Sequence, residues 1–332
     1  MKIDYLLVLV IILFVGSAGR SQSIVSVTGE WKVQPDAIWL SHEHILVDFI
    51  GADKISKEDY DRKKVMNEML PFLVELKKYQ VKYFVDATPP FLGRDPVLLR
   101  QLSEATDLTI LTNTGLYGAR QNKYIPAYAI DLSAEELSER WIKEFRDGIG
   151  DTGIRPGFIK ISVDATNPLD PMHDKIVKAA ALTHLATGLT IASHTGKAVG
   201  LWPQLEILKK EGVSPSAFIW VHAQNENDPE AYLQAAETGC WISLDGVGWK
   251  IEPYVEKLIW AKKAGILDHV LISHDAGWFD PQKTKQDITP YTNIFENLIP
   301  RLKKAGFTDG DINRLLSVNP AKAFGISVRK RE

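Results

Sequence analysis

The stretch Trp39-Leu-Ser-His-Glu-His44 closes an apolar, strand-like run that begins at Ala37. Side chains alternate along a strand with a period of two, so His42 and His44 project to the same face. If that face lines the mouth of a barrel, the pair can grip one metal ion. Alone, it reads equally well as two surface or core histidines, and the ends of the later strands decide between these readings.

Seven further apolar runs follow, at 81–87, 108–112, 157–163, 189–193, 217–221, 240–244 and 270–273. They are continuous rather than alternating, as expected for strands covered on both faces in a parallel sheet. Amphipathic helical patterns separate or follow them at 57–78, 95–105, 134–148, 172–187, 201–211, 229–238, 252–264 and 292–305, and Gly212, Gly239 and Gly265 stand where three of these helices should stop. Eight strand-then-helix units without a Pro/Ser-rich linker predict one domain over 30–328, folded as a single (β/α)8 TIM barrel. The alternative, a doubly wound open sheet, lacks its glycine fingerprint at the first β–α turn, and there is no P-loop.

The N-terminal residues read as a leader. Met1-Lys-Ile-Asp-Tyr5 precedes an apolar run at 6–15, and Gly16-Ser-Ala-Gly19 supplies small residues for cleavage. This predicts a signal peptide over about 1–22, cut between Ser17 and Ser23, and export to the periplasm or medium without stable membrane insertion afterwards. No cysteine near the junction offers a site for a lipid anchor. Removing Lys2, Arg20 and Asp4 takes Lys+Arg from 39 to 37 and Asp+Glu from 42 to 41, moving the net charge from -3 to -4. Such mild acidity gives no reason to expect nucleic acid or an anionic membrane as partner; the expected partner is a small-molecule substrate. The single cysteine, Cys240, rules out an internal disulfide and reads as a small core residue, so stability must come from a large core.

The strand ends carry the chemistry. The first run ends in His42 and His44, the fourth holds Lys160 between Ile159 and Ile161, and the fifth and sixth lead to His194 and His222. The eighth leads to His274-Asp275, while the second, third and seventh end in Asp86, Asn113 and Asp245. Singly, a strand-end histidine is an ordinary hydrogen-bonded residue, and Asp275 can simply cap its loop. Lys160 is harder to place, because a lone cation in an apolar run is costly to bury and needs an anion or a chemical modification. Catalytic residues of a barrel gather at the C-terminal ends of the strands. Histidines and carboxylate converging there are the ligands of zinc-like ions, and no cysteine ligands suggest a structural zinc site.

In this order, His42-x-His44, Lys160, His194, His222 and Asp275 resemble the phosphotriesterase-like group of the amidohydrolase superfamily. So do Gly93-Arg-Asp95, Thr114-Gly-Leu-Tyr117, Ile272-Ser-His-Asp275 and Asn319-Pro-Ala-Lys-Ala-Phe324, and the resemblance spans about 35–325. It implies a barrel with a binuclear metal centre at the C-terminal ends of its strands. His42, His44 and Asp275 would hold the more buried ion, and His194 and His222 the more exposed one. Lys160, carboxylated by carbon dioxide, would bridge them as a carbamate. Two divalent ions are implied, with zinc the expected metal, although manganese, cobalt and iron accept the same ligands. A metal-bridging hydroxide would attack, Asp275 would collect its proton, and family analogy suggests a homodimer.

Two departures bear on mechanism and substrate. Where many members relay the proton through an aspartate, this chain has Asn225, which cannot accept one, and the adjacent Glu226 is the candidate substitute. After Asp245, where lactonases carry arginine and organophosphate hydrolases histidine, it has Gly246. Tyr117 matches a tyrosine of lactonase pockets. Trp249, Trp278 and Phe91 are candidates for an aromatic wall, and His274 reads as a buried neighbour of the ligands. The leading expectation is hydrolysis of a lactone or other carboxylic ester. A phosphotriester or amide cleaved by the same centre is the alternative, and a binding protein that has lost activity is disfavoured by the complete ligand set.

Overall fold

Each barrel strand buries both faces, and the two faces serve different cores. In the computed structural model, residues 22–56 and 58–331 are described, so the expected leader lies, but for Gln22, outside the described residues. A hairpin of β1 (Ser23–Ser26) and β2 (Gly29–Lys32) precedes the barrel. The barrel strands are β3 (Ile38–Glu43), β4 (Val81–Asp86), β5 (Thr109–Leu111) continued by β6 (Asn113–Thr114), β7 (Phe158–Ser162), β8 (Ile191–His194), β9 (Phe218–Val221), β10 (Trp241–Leu244) and β11 (Val270–Ile272). Every pairing between neighbouring barrel strands is parallel. Thr112 interrupts the third strand, so two segments do the work of one.

Inward-facing Trp39, Tyr83, Val85, Leu111, Phe158, Ala192, Ile219, Val221, Trp241 and Leu271 fill the barrel, closed at its lower end by Ile24 of the hairpin and Phe324. Their neighbours in sequence, among them Leu40, Phe84, Ile159, Ile191, Trp220, Ile242 and Ile272, face outward into a second core shared with the helices. This two-sided burial is why the sequence shows unbroken apolar runs.

The helices are α1 (Arg62–Glu75), α2 (Pro96–Thr106), α3 (Ala127–Asp131), α4 (Ala134–Asp147), α5 (Pro171–Thr187), α6 (Leu201–Lys210), α7 (Pro229–Glu237), α8 (Glu252–Lys263), α9 (Ile299–Lys304), α10 (Asp309–Asn313) and α11 (Asn319–Phe324). Asp-Pro pairs start α2, α5 and α7, the aspartate side chain accepting from backbone amides of the first turn. The glycines expected to end helices, Gly212, Gly239 and Gly265, have φ of 77°, 89° and 75°. The folded unit is wider than the expected 30–328. Val27 N–H donates to Ile110 O at 2.9 Å, tying the hairpin to the barrel, and Arg331 N–H donates to Gly212 O at 2.9 Å, tying down the tail. Among the described residues, no helix is long and apolar enough to cross a membrane.

The barrel closes between β3 and β11. The Ser41 hydroxyl donates to Ile272 O at 3.2 Å, and His42 N–H donates to the Ser273 hydroxyl at 2.9 Å. Above them Asp275 N–H reaches His42 O at 3.1 Å and His44 N–H reaches Ala276 O at 2.9 Å. Glu43 fastens this seam from within, fully buried. Its carboxylate accepts from the Ser273 hydroxyl (2.7 Å), His274 N–H (3.0 Å), the His274 ring Nδ1–H (2.8 Å) and Ala276 N–H (3.1 Å). The Nε2 of His274 in turn accepts from Ile294 N–H at 3.0 Å, so this histidine is a buried tie rather than a ligand. Glu43→Ala would leave these buried donors unpaired, and should destabilise the fold by at least about 1–3 kcal/mol, the cost of an unsatisfied buried polar group. Chemical denaturation measures this, and an unchanged unfolding midpoint would show that the seam holds without Glu43.

Candidate active site

Strict alternation from the inward Trp39 would turn His42 outward. A register irregularity between Leu40 and Glu43 reverses that parity, and His42 and His44 enter the barrel mouth with ring centroids 5.3 Å apart. On β7, Lys160 stands two residues after Phe158, on the same inward face, and is 2% exposed. On β8, His194 stands two after Ala192. His222, just past β9, and Asp275, just past β11, take left-handed backbone conformations, with φ of 59° and 52°. Such strain in non-glycine residues gathers at functional sites.

These turns bring the expected donors together. Ligand atoms of His42, His44 and Asp275 lie within 4.8 Å of one another, with His44 Nε2 3.1 Å and His42 Nε2 3.6 Å from Asp275 Oδ1. The His222 ring sits 5.1 Å from that of His42 and 4.3 Å from that of His194. All six residues line one cavity of about 370 Å³, together with Tyr117, Trp278, Phe49, Tyr124, Arg120 and Lys123.

A ring of partners orients these side chains. Asp245, fully buried, accepts from His222 Nδ1–H at 2.7 Å and His222 N–H at 3.1 Å, lies 3.5 Å from His42 Nδ1, and is held by Gln224 Nε2 at 3.0 Å. His44 Nδ1 lies 2.7 Å from the Thr88 hydroxyl. Asp86 accepts from Ile45 N–H (2.9 Å) and Thr88 N–H (3.1 Å), and Asn113 Nδ2 bonds the Thr88 carbonyl at 2.9 Å. The three strand-end residues Asp86, Asn113 and Asp245 therefore orient the site rather than enter it.

Burial, and then the Lys160 charge, pushes His42 well below its ordinary pKa; burial, and then His222, does the same to His194. Both are thus neutral imidazoles with a lone pair to give, the form that binds metals. Burial opposes charge on His222 as well, but Asp245 overrides it and raises the ring. Burial lowers Lys160 to about 8 despite Asp245 and Asp275. Among the described residues, the Lys160 Nζ and the buried Asp275 Oδ1 have no hydrogen-bond partner. Neutral imidazoles around an unsatisfied carboxylate oxygen and an unsatisfied amine fit divalent cations held by these side chains.

Several substrate and relay expectations change. Trp278 lines the cavity, its ring 5.4 Å from that of His44. Trp249 does not line it. It is 57% exposed, and its indole N–H donates to the Asp275 carbonyl at 3.0 Å, beside that of Trp278 at 2.9 Å. Phe91 faces a separate cavity. The Tyr117 hydroxyl lies 3.1 Å from His194 Nδ1. Asn225 belongs to the turn after His222 and donates its N–H to the His222 carbonyl at 3.1 Å, outside the cavity lining. Nor is Glu226 placed as a relay. Its carboxylate accepts from Ala198 N–H (2.9 Å), Asn227 N–H (2.7 Å) and Asp228 N–H (2.9 Å), so it organises a loop. A side chain at Gly246 would set its Cβ 2.3 Å from the Tyr254 hydroxyl, which occupies that space. Sequence reasoning missed Phe49, Tyr124, Arg120 and Lys123. They lie on loops, where no periodicity announces which side chains turn inward.

A (β/α)8 barrel with metal-type donors at the C-terminal mouth defines a class of barrel hydrolases. The phosphotriesterase family model matches residues 26–324, and the chain belongs to that family. The aryldialkylphosphatase of Saccharolobus solfataricus is 29% identical over 86% of this chain and 94% of its own length. The N-acetyltaurine hydrolase of Dictyostelium discoideum is 28% identical over 79% of this chain and 74% of its own. Among solved structures, a triple mutant of the organophosphorus hydrolase from Deinococcus radiodurans superposes with a TM-score of 0.82 at 26% identity, covering 91% of this chain and 97% of that one.

Asp245→Asn keeps the shape of the buried side chain but gives up a charge-assisted acceptor for His222. Metal affinity should fall by about 10–100-fold, the usual effect of losing a ligand-orienting partner. Equilibrium dialysis with elemental analysis measures it, and unaltered affinity would mean that Asp245 does not aim the ligands.

Proposed function

We propose that the chain is a binuclear metal-dependent hydrolase cleaving a carboxylic acyl bond, in the first instance an ester or lactone. The observation that carries this reading is the buried, unsatisfied Lys160 amine in the midst of His42, His44, His194, His222 and Asp275. His42, His44 and Asp275 would hold one ion, and His194 and His222 the other. Addition of the Lys160 amine to carbon dioxide, with loss of a proton, forms an N–C bond and makes a carbamate. That replaces a costly buried cation by an anion placed to join the two sites. Bound there, divalent ions supply Lewis acidity toward the substrate oxygen and lower the pKa of water.

The remaining steps belong to side chains. The Asp275 carboxylate, whose Oδ1 is buried without a hydrogen bond, would take the proton of the attacking water and return it to the leaving group. Burial pushes the Tyr117 hydroxyl up, so it stays protonated and can donate toward the acyl oxygen beside His194. Phe49, Val47, Leu92 and Trp278 supply apolar surface to the cavity. An amide is the second reading, favoured by the similarity to the N-acetyltaurine hydrolase. The apolar run at 6–15 supports export as part of the same proposal.

Metal-loaded protein assayed against a γ-lactone, an aryl ester, a simple N-acyl amide and a dialkyl aryl phosphate should show its highest kcat/KM on an acyl substrate. Tenfold preference for the phosphate would overturn that assignment. Lys160→Ala should lower kcat by more than about 100-fold, exceeding the loss from a mere outer partner, and release at least one ion. Added short-chain carboxylic acids should restore part of the rate. Full activity with two ions retained would disprove the bridge.

A further inference from the structure

The loop after Tyr117 is built in a way that the hydrolase reading does not require. Arg120, Gln121 and Asn122 follow one another with φ of 64°, 57° and 61°, a left-handed run disfavoured for each of them. The run is held by the strand that carries Lys160. The Ser162 hydroxyl accepts from Ala119 N–H at 2.7 Å, and the Asp164 carboxylate accepts from Arg120 N–H at 2.8 Å and Gln121 N–H at 3.1 Å. Asn122 N–H closes the turn on Gly118 O at 3.0 Å. Non-glycine strain of this kind persists where the surroundings over-determine it, and ligand clamps are a common setting.

What the turn presents to the cavity is charge. Arg120, exposed at its outer end, lines the same cavity as His194, His222 and Asp275. Arg62, Arg94 and Arg301 each meet a carboxylate, whereas among the described residues the Arg120 guanidinium has neither a hydrogen bond nor an acidic partner. Asp164 is engaged with the backbone of the turn. Lys123, one turn on, donates to Phe49 O at 2.6 Å and lies 5.4 Å from the centroid of the Tyr124 ring, which fixes a second cation at the rim. The cavity's single carboxylate, Asp275, belongs with the histidines. The exposed rim of the cavity at Arg120 and Lys123 is therefore positive and carries a planar donor, the arrangement that reads an oxyanion through a fork of N–H groups and steers it inward.

We infer that Arg120, supported by Lys123, forms a subsite for a carboxylate-like oxyanion at the end of the substrate remote from the scissile bond. The physiological substrate is then an acyl compound bearing an acid group, not a neutral ester. This rests on the hydrolase reading for the bond cleaved, but not for the subsite itself.

Two substrates with the same scissile ester separate the ideas: mono(4-nitrophenyl) adipate, with a free carboxylate, and methyl 4-nitrophenyl adipate, without it. The metal-loaded protein should prefer the acid by about tenfold or more in kcat/KM, the worth of one charge-assisted contact. In Arg120→Gln the acid-to-neutral ratio should fall toward one, mainly through KM, and Arg120→Lys should restore part of it. An equal ratio in the parent and Arg120→Gln overturns the subsite while leaving the hydrolase reading intact. If neither ester is cleaved, calorimetry with adipate decides the subsite without reference to the bond cleaved. Binding about tenfold weaker in Arg120→Gln supports the subsite, whereas equal affinity, or no binding to either protein, overturns it.

Discussion

A buried carboxylate, Glu43, holds the first barrel strand to the last, and the site is laid across that join. His42 and His44 stand on either side of Glu43 in sequence, and Asp275 lies within the segment that Glu43 binds, between His274 and Ala276. The closure of the barrel and the approach of three donors to one point are therefore a single event. In a chain whose ends did not meet, this donor set would be divided between two edges. Placing a charged group here costs desolvation, offset by four donors supplied by a segment far away in sequence.

A second constraint is the concentration of ionisable groups in little space. Lys160, Asp245, Asp275 and four imidazoles converge where the barrel's apolar interior ends. Burial keeps His42 and His194 neutral, while Asp245 spends its charge on His222 and His42. Backbone strain at His222, Asp275 and Trp278, with φ of 59°, 52° and 75°, adds of order 1–3 kcal/mol at each position. The barrel below, with its continuous core, supplies the stability that such a site draws down.

Much of this was legible in the sequence because a parallel barrel writes a simple code. Apolar runs mark strands covered on both sides, and the polar residue that breaks each run marks the mouth. Thus Lys160, His194, His222 and Asp275 could be placed from their positions alone. Other features are encoded by contacts between segments. The irregularity that turns His42 inward leaves no local signature, and by alternation from Trp39 it would have been assigned to the outside. In the sequence Glu226 reads as a relay acid, but the backbone N–H groups of Ala198, Asn227 and Asp228 occupy its oxygens. Trp249 looked like a pocket wall, but its indole reaches past the cavity to a backbone carbonyl. The N-terminal hairpin and the short helices α3, α10 and α11 were missed because their few residues carry too little periodicity to stand out.

The two indoles that share the Asp275 carbonyl have a further consequence. Trp249 and Trp278 meet edge to face, with centroids 5.9 Å apart at 87°, and Trp278 in turn abuts the His44 ring. One member of the pair faces solvent and the other faces the donor cluster. Indole emission responds to nearby charge and to the polarity around the ring, so a cation or ligand arriving beside His44 and Asp275 would alter a chromophore that can be read from outside. Among nine tryptophans in the chain, this pair is the one whose surroundings would register an arrival at the donor cluster, with no label attached.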